Sequence, residues 1–388
     1  MKKLTYLLCY LCILFSTTSC KSLKKNKNNT YPNEYILNLE DSKLIDFDSH
    51  FFSHCNLEFQ DKTLVLGNFN PKKLQIQEIH LLGQKFNIDS IQFRKIPDHL
   101  NYIKNWSKED VEYNCTDKYL LVGNQEFQEI FVFNRKGKFL HKLDIHKKKN
   151  SRNISSLLRS IEWNINHSSE ELIFPCVKWE SMNSDKTQYF TNILSLDLRK
   201  SKKLIPITFP ENYKTPNSFN FDYFIPLKIE NTLFLSFRSN DGIYVYDCIK
   251  GVYVERKSMG STEEHQFIPK TEEDNYKVSA YTDYILREPG YFNFIYHPQR
   301  KIFIRTFKHR IKFDPDAIKK PQIKDIDWSI IFSKKDFKNQ KEIFFPKENG
   351  VPFPFHIVPS SKGILISTYG EKDLEKRNTI RFKNIDIP

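Results

Sequence analysis

Glycine is scarce in this chain, 11 residues among 388. Those few never fall in the GxGxxG spacing that brings a tight turn and a helix N-terminus against a pyrophosphate, so the usual dinucleotide fingerprint is absent. No P-loop, HExxH zinc helix or GxSxG nucleophile elbow occurs. No GG or WD pair marks a kelch or WD40 blade. The longest uncharged apolar run, residues 4–15, has 12 residues, short of the roughly 20 that a helix needs to cross a bilayer. With 39% hydrophobic and 28% charged residues the chain is too polar for a polytopic membrane protein, and at 14% aromatics it is too aromatic for a disordered one.

The formal charge is +13. Six of the excess cations are Lys2, Lys3, Lys21, Lys24, Lys25 and Lys27, so 13 − 6 leaves +7 for the rest, scattered among acids. That is an ordinary solvated surface. No zinc-finger spacing or RNP-like string accompanies it, and no nucleic-acid partner is expected.

The N-terminus is more specific. Met1-Lys2-Lys3, the apolar run and Ser16-Thr17-Thr18-Ser19 have the layout of a secretory signal. A small residue then precedes Cys20, and a Lys/Asn tail follows it. This resembles the lipobox of bacterial lipoproteins, with Thr17 where Leu is commonest. The resemblance implies a diacylglyceryl group on the Cys20 thiol, cleavage before it, and acylation (palmitate, for example) of the new amine. Each buried methylene contributes about 0.8 kcal/mol, so two or more chains hold firmly. Lys21, where an Asp would resemble an inner-membrane retention signal, favours the outer membrane. The tail lacks the acidic residues of surface-exported lipoproteins, which favours the periplasmic face. Residues 1–19 are therefore read as a signal peptide, 20–34 as a lipidated tether and 35–388 as a single domain.

Cys9 and Cys12 form a CxxC inside the signal, where it carries no redox or zinc chemistry. Cys55, Cys115, Cys176 and Cys248 remain, and four cysteines allow three pairings. Free buried thiols are the alternative. No metal or cofactor is expected from these spacings.

An internal repeat dominates the remainder. Asp61-Lys62-Thr63-Leu64-Val65-Leu66-Gly67-Asn68 returns as Asp117-Lys118-Tyr119-Leu120-Leu121-Val122-Gly123-Asn124, identical at five of eight positions. A polar turn before an apolar run recurs at 168–176, 229–237, 297–307 and 360–368. The six occurrences lie about 50 to 70 residues apart, a spacing that fits propeller blades. A second hairpin follows most of them, at 79–91, 130–145, 193–207, 243–256 and 328–345. Aromatic and β-branched runs between Asn, Asp, Gly and Lys turns are antiparallel hairpin chemistry. Continuous apolar runs call for sheets covered on both faces. The expectation is an all-β, six-bladed β-propeller of four-stranded antiparallel blades. Residues 35–39 would complete the last blade, so that an N-terminal strand closes the ring. A β-sandwich or a pair of β domains is the competing architecture. Asn and Asp are expected to replace Gly in turns, and 153–161 to form a turn or two of helix.

These units, the lipobox and the string from Tyr291 to Arg305 resemble a family of Bacteroidota lipoproteins with a TolB-like six-bladed β-propeller and a domain of unknown function. The family's Tyr-Asp-Pro turn appears here with His297 in place of Asp. The resemblance implies fold and location, and no activity.

The longest insertion between units, about residues 258–289, carries Glu263-Glu264-His265 and Glu272-Glu273-Asp274. Clustered carboxylates suit Ca²⁺ or acid–base work, and a solvated acidic loop is the plain alternative. The same stretch brings Tyr276, Tyr281, Tyr284, Arg287 and Tyr291. With Trp106, the residues Tyr276, Tyr281, Arg287 and Tyr291 are the candidate binding set, since aromatics and Arg on long loops suit a partner surface. Packing down onto the blades is the alternative. His297 and His309 read as turn and surface residues, and Ser239-Asn240-Asp241-Gly242 as a plain turn. The functional expectation is a lipid-anchored envelope propeller that binds or scaffolds a protein, peptide or glycan at its loops, with no residue assigned a catalytic role. The alternative is a glycan- or peptide-processing enzyme with carboxylates at the funnel. Oligomeric state stays open.

Overall fold

A computed structural model describes residues 34–38, 53–58, 63–82, 87–106, 111–115, 118–124, 129–144, 164–166, 171–177, 190–199, 202–208, 224–238, 240–262, 288–311, 326–346, 351–359, 363–369 and 379–387. Cys20, Tyr276, Tyr281, Tyr284, Arg287, the two acidic clusters of the insertion and the expected helix at 153–161 lie outside them.

The described elements begin with strand β1 (Glu34–Asn38). A first sheet follows in chain order: β2 (Ser53–Glu58), β3 (Thr63–Asn70), β4 (Gln75–Leu82) and β5 (Asn87–Lys95). The second is β6 (Val111–Cys115), β7 (Tyr119–Asn124), β8 (Glu129–Asn134) and β9 (Phe139–Asp144). The third is β10 (Asn164–Asn166), β11 (Glu171–Val177), β12 (Phe190–Asp197) and β13 (Lys202–Thr208). The fourth is β14 (Phe224–Ile229), β15 (Thr232–Phe237), β16 (Gly242–Asp247) and β17 (Val252–Ser258). The fifth is β18 (Gly290–His297), β19 (Ile302–Lys308), β20 (Trp328–Lys334) and β21 (Lys341–Phe345). In the last sheet β22 (Val351–Pro359), β23 (Gly363–Tyr369) and β24 (Thr379–Asp386) are joined by β1, which pairs antiparallel with β24 from Glu34↔Lys383 to Asn38↔Thr379.

Every neighbouring pair is antiparallel, and successive strands are linked as hairpins. The sheets stack through their first strands: β2 packs on β6, β14 on β18, β18 on β22, and β22 on β2. Burial follows that stacking. All seven residues of β19 are buried, whereas β17, last in its sheet, is mostly exposed. A strand covered on both faces must be apolar at both parities, which is why these strands read as continuous runs. This is the β-propeller arrangement of antiparallel sheets. Among the described residues no helix is long and apolar enough to cross a membrane.

The cores lie between sheets. Ile225, Phe234, Ile243 and Val245 of the fourth sheet meet Tyr291, Phe294, Phe303, Phe307 and Ile331 of the fifth. Phe303 stacks on Phe294 (5.4 Å, 6°) and on Phe337 (4.8 Å, 21°). Such pairs contribute about 0.5–1.5 kcal/mol each beyond area burial.

Turn chemistry departs from expectation in one respect. The Asn134 carboxamide oxygen accepts from the backbone N–H of Lys136 (3.0 Å) and Lys138 (2.9 Å), and Gly137 adopts φ +82. That is the expected Asn/Gly turn. Yet Leu74, Glu230, Lys301 and Phe337, besides Asn339, also occupy the left-handed region at φ 50 to 59. Scarce glycine is thus offset largely by ordinary side chains held in a conformation that costs roughly 1–2 kcal/mol each. Leu74 and Phe337 are buried, so packing supplies the compensation.

Candidate functional site

Two polar constellations lie on opposite faces of the fifth sheet, near the point where the long insertion returns to it. The first faces the fourth sheet. Arg305 is fully buried in β19. Its Nη1 donates to the carbonyls of Asp241 (3.0 Å) and Met259 (2.8 Å), and its Nη2 to those of Phe237 (2.8 Å) and Asn240 (2.6 Å). The guanidinium carbon lies 3.6 Å from the centroid of the Tyr291 ring. A planar fork with five donors suits this cage of carbonyls, where a lysine ammonium has too few.

The same network grips both roots of the insertion. The Met259 N–H donates to the Asp241 carbonyl (2.9 Å), and the Tyr291 N–H to the Arg238 carbonyl (2.8 Å). The Ser261 N–H donates to Tyr291 Oη (3.0 Å). Glu342 of β21 accepts from Ser261 Oγ, Thr262 N and Thr262 Oγ1, each at 2.7 Å. Burial pushes the Glu342 carboxyl up, but donors from Thr262, Ser329 and Ser261 hold it below its ordinary value. Ser329 also meets His309 Nε2 at 2.7 Å. Burial raises the Tyr291 phenol to about 12, against the opposing pull of Arg305, so it is neutral at any physiological pH.

The second constellation is on the other face. Lys308 is cross-strand neighbour to Gly290 and to Trp328. It is 2% exposed, beside Glu288 at 5%. Arg238 crosses from the fourth sheet, its guanidinium carbon 5.2 Å from the centroid of Phe292, which meets Trp328 edge-on at 5.4 Å. A Cβ on Gly290 would come within 2.9 Å of Arg238 Nε, so glycine admits that crossing. Burial drives the Lys308 ammonium down to about 6; Arg238 adds to this and Glu288 opposes it. The Trp328 indole Nε1, itself buried, has no hydrogen-bond partner among the described residues.

A third node joins the first and second sheets. Glu78 of β4, 0% exposed, is met by Arg94 and by Arg135 (2.9 Å), with His80 Nε2 at 3.6 Å. Tyr113 Oη donates to it at 2.5 Å. Burial alone would raise this carboxyl. His80, Arg135, Tyr113 and Arg94 outweigh burial and hold it near 2.

Of the residues singled out from sequence, Trp106 and Tyr291 are inside the protein, not on an exposed rim. Trp106 is 6% exposed and follows a 3₁₀ segment, Asp98–Asn105, that folds onto the second sheet; its ring lies 5.4 Å from Phe131. Tyr291 is 1% exposed and works as a brace. Aromatic size is what a sheet stack consumes first, so these rings went to packing. His309 is buried, contrary to a surface reading, whereas His297, also buried, stands at the turn after β18 and accepts from the Arg300 N–H (3.3 Å). The 239–242 turn is a plain one: the Gly242 N–H donates to Asn240 Oδ1 at 2.7 Å. Cys115 is disulfide-bonded and Cys248 is a free thiol. Cys55 lies on β2, a strand that packs against β6 and its Cys115. Among the described residues no group of three or more His, Cys, Asp or Glu is placed to hold a metal ion. Sequence reading passed over Lys308, Arg238, Glu288 and Glu78. The available signal was a charge at the parity of buried neighbours, as Lys308 stands to Ile302 and Ile304.

Comparison with known proteins gives a family and a fold. The family model described as "Domain of unknown function (DUF4221)" matches residues 34–343. The crystal structure of a member of that family from Bacteroides vulgatus aligns with a TM-score of 0.64 and 17% identity, covering 91% of this chain and 96% of that one. At that identity the likeness concerns fold alone. Fainter likenesses reach a chain of the mitotic checkpoint complex (TM-score 0.38, 10% identity, 87% of this chain and 76% of that one) and Kuenenia stuttgartiensis hydrazine synthase (0.37, 11%, 83% and 80%). They carry no argument. No curated protein matches the chain.

Proposed function

The chain belongs to the DUF4221 family, and on that premise we propose that it is a lipid-anchored binding or scaffold protein of the cell envelope that presents the 263–287 insertion to a protein, peptide or glycan partner. The observation that carries this reading is the pinning of both insertion roots. Met259, Ser261 and Thr262 on one side and Tyr291 on the other are tied to one buried network through Asp241, Arg238, Glu342 and Arg305. Loops that carry recognition are typically mounted on a rigid scaffold in this way. The aromatic and Arg content of the insertion (Tyr276, Tyr281, Tyr284, Arg287) suits a contact surface.

The six sheets are read as the blades of one closed ring. The β1–β24 pairing unites the two ends of the domain in one sheet, and packing of β22 on β2 is the contact such closure requires. Attachment through Cys20 and residence on the periplasmic face of the outer membrane rest on the lipobox, on Lys21 and on the lack of acids in the tether. The disulfide at Cys115 is consistent with an oxidising compartment.

The test uses the full lipidated protein with residues 263–287 replaced by a Gly-Ser linker. In-cell crosslinking and pull-down should lose the partners that the parent captures, with an unchanged melting temperature. Capture that survives the replacement refutes the reading. Separately, Cys20→Ala should abolish labelling by a palmitate analogue and release the protein from the membrane fraction; persistent labelling ends the anchor proposal.

A further inference from the structure

Two guanidinium groups share one buried carboxylate where the first and second sheets meet. Arg94 comes from β5 and Arg135 from the turn between β8 and β9. Glu78 Oε2 accepts from Arg94 Nη1, and Glu78 Oε1 from Arg135 Nη1 at 2.9 Å. Tyr113 Oη adds a second donor to Oε1, and Arg135 Nη2 a second to Oε2 at 3.4 Å. Both carboxylate oxygens are therefore fully engaged. One arginine would have balanced the charge of Glu78, so the second leaves one positive charge in excess. His80, with Nε2 3.6 Å from the same carboxylate, brings no negative charge to offset it. A half-buried cation without an anion of its own is costly.

Donors remain on both groups. A guanidinium has five N–H donors. Arg94 uses one on Glu78 and one on the Gln92 side chain, and Arg135 uses two on Glu78. Among the described residues no other acceptor meets either group. The two side chains are 15% and 20% exposed, so solvent reaches them, whereas Glu78 is 0% exposed behind them. The turn that carries Arg135 adds Lys136 and Lys138, both exposed and neither in an ion pair among the described residues. Asn134 Oδ1 accepts from the backbone N–H of both lysines, which fixes the turn. Gly137, between them, lies against Arg94: a Cβ there would come within 3.2 Å of Arg94 Cβ. Glycine thus seats the two lysines beside the paired guanidiniums.

We propose that Arg94 and Arg135, flanked by Lys136 and Lys138, bind a phosphate monoester at the surface where the first two sheets meet. Planar forks match phosphate oxygens, and the shared Glu78 holds both forks in place before a ligand arrives, so little side-chain entropy is lost on binding. The charge favours a dianion. The Arg94–Glu78–Arg135 triad carries one excess positive charge, and the two lysines add one each. A carboxylate ligand has a single charge and two oxygens, which one fork would satisfy; the three terminal oxygens of a monoester can engage both forks. Free phosphate and the phosphate headgroup of a lipid share this chemistry. The site uses no residue of the insertion-gripping network, and it stands whether or not the insertion meets a partner.

The test is calorimetric titration of the full chain with phenyl phosphate, in a phosphate-free buffer at pH ~8 where a monoester is a dianion. Dimethyl phosphate, a monoanion, and acetate are the controls. Phenyl phosphate should bind saturably, about tenfold or more tighter than either control. The double variant Lys136→Ser, Lys138→Ser changes only exposed side chains; it should keep the melting temperature and weaken binding about fivefold. Arg135→Lys keeps the charge beside Glu78 and loses the fork, and should weaken binding about tenfold. Should Arg135→Lys fail to fold, the double variant decides. Inorganic phosphate and dihexanoyl phosphatidate separate the sources: tighter binding of the phosphatidate assigns the site to a lipid headgroup, and equal binding to free phosphate. No saturable heat, equal affinity for acetate, tighter binding of polyglutamate than of any phosphate, or full affinity in the double variant each overturns the proposal. None of these outcomes bears on the insertion-replacement pull-down, so the two readings fail separately.

Discussion

Glu78 offers the sharpest quantitative test of how the first two sheets are held together. Its carboxyl moves from the ordinary 4.5 of an unfolded chain to about 2 in the folded protein. Burial pushes the other way, so the favourable sum from His80, Arg135, Tyr113 and Arg94 exceeds the desolvation cost. At about 1.36 kcal/mol per pH unit, that difference amounts to about 3 kcal/mol of stability. The folded value is depressed, so this contribution is fully present above pH 4.5 and is lost as pH falls from there through about 2. Glu78→Gln keeps the shape and removes the charge. At neutral pH it should cost about 3 kcal/mol or more, because Arg94 and Arg135 are left half-buried without their anion. Urea unfolding followed by tryptophan fluorescence, repeated from pH ~7 to pH ~3, measures the gap between parent and variant. The gap should be widest above pH 4.5 and narrow steadily below it. A gap that stays constant with pH, or a variant as stable as the parent at neutral pH, refutes the reasoning.

Three further outcomes follow from the packing. A Cβ at residue 67 would lie 1.9 Å from a Tyr113 ring atom, so Gly67→Ala should displace that ring from Glu78, cost roughly 1–3 kcal/mol and flatten the pH profile just described. Arg305→Lys should lower the urea midpoint by the equivalent of roughly 3 kcal/mol, since one ammonium cannot serve four carbonyls; it should also speed proteolytic cleavage near residues 258–262. Removing residues 34–38 bares the edge of β24, and concentration-dependent light scattering should report self-association that the parent lacks.

Much of the architecture was legible in the order of residues. The recurrence of Asp-Lys-x-Leu-x-x-Gly-Asn located β3 and β7, the Asn134-to-Gly137 turn located the β8–β9 hairpin, and the strand character of 35–39 anticipated the pairing with β24. Such features are local: a turn residue or an apolar run acts on its own few neighbours. The candidate sites were less legible. Trp106 and Tyr291 looked like rim aromatics because composition alone does not say which face of a stack a ring enters. Arg305 was quoted only as the end of an aromatic strand, and nothing near it in sequence announces carbonyls contributed from residues 237–259.

Sequence by itself determined that this chain is all-β, built of repeated hairpins with apolar strands. Tertiary structure alone decided which polar groups meet: Glu78 with Arg135 across two sheets, Arg305 with the turn at 237–241, and Lys308 with Arg238 and Trp328. Strand formation depends on period-two patterning and turn chemistry within a short window. Charge, hydrogen bonding and proton affinity depend on distance through space, and that is set only when separate sheets are stacked.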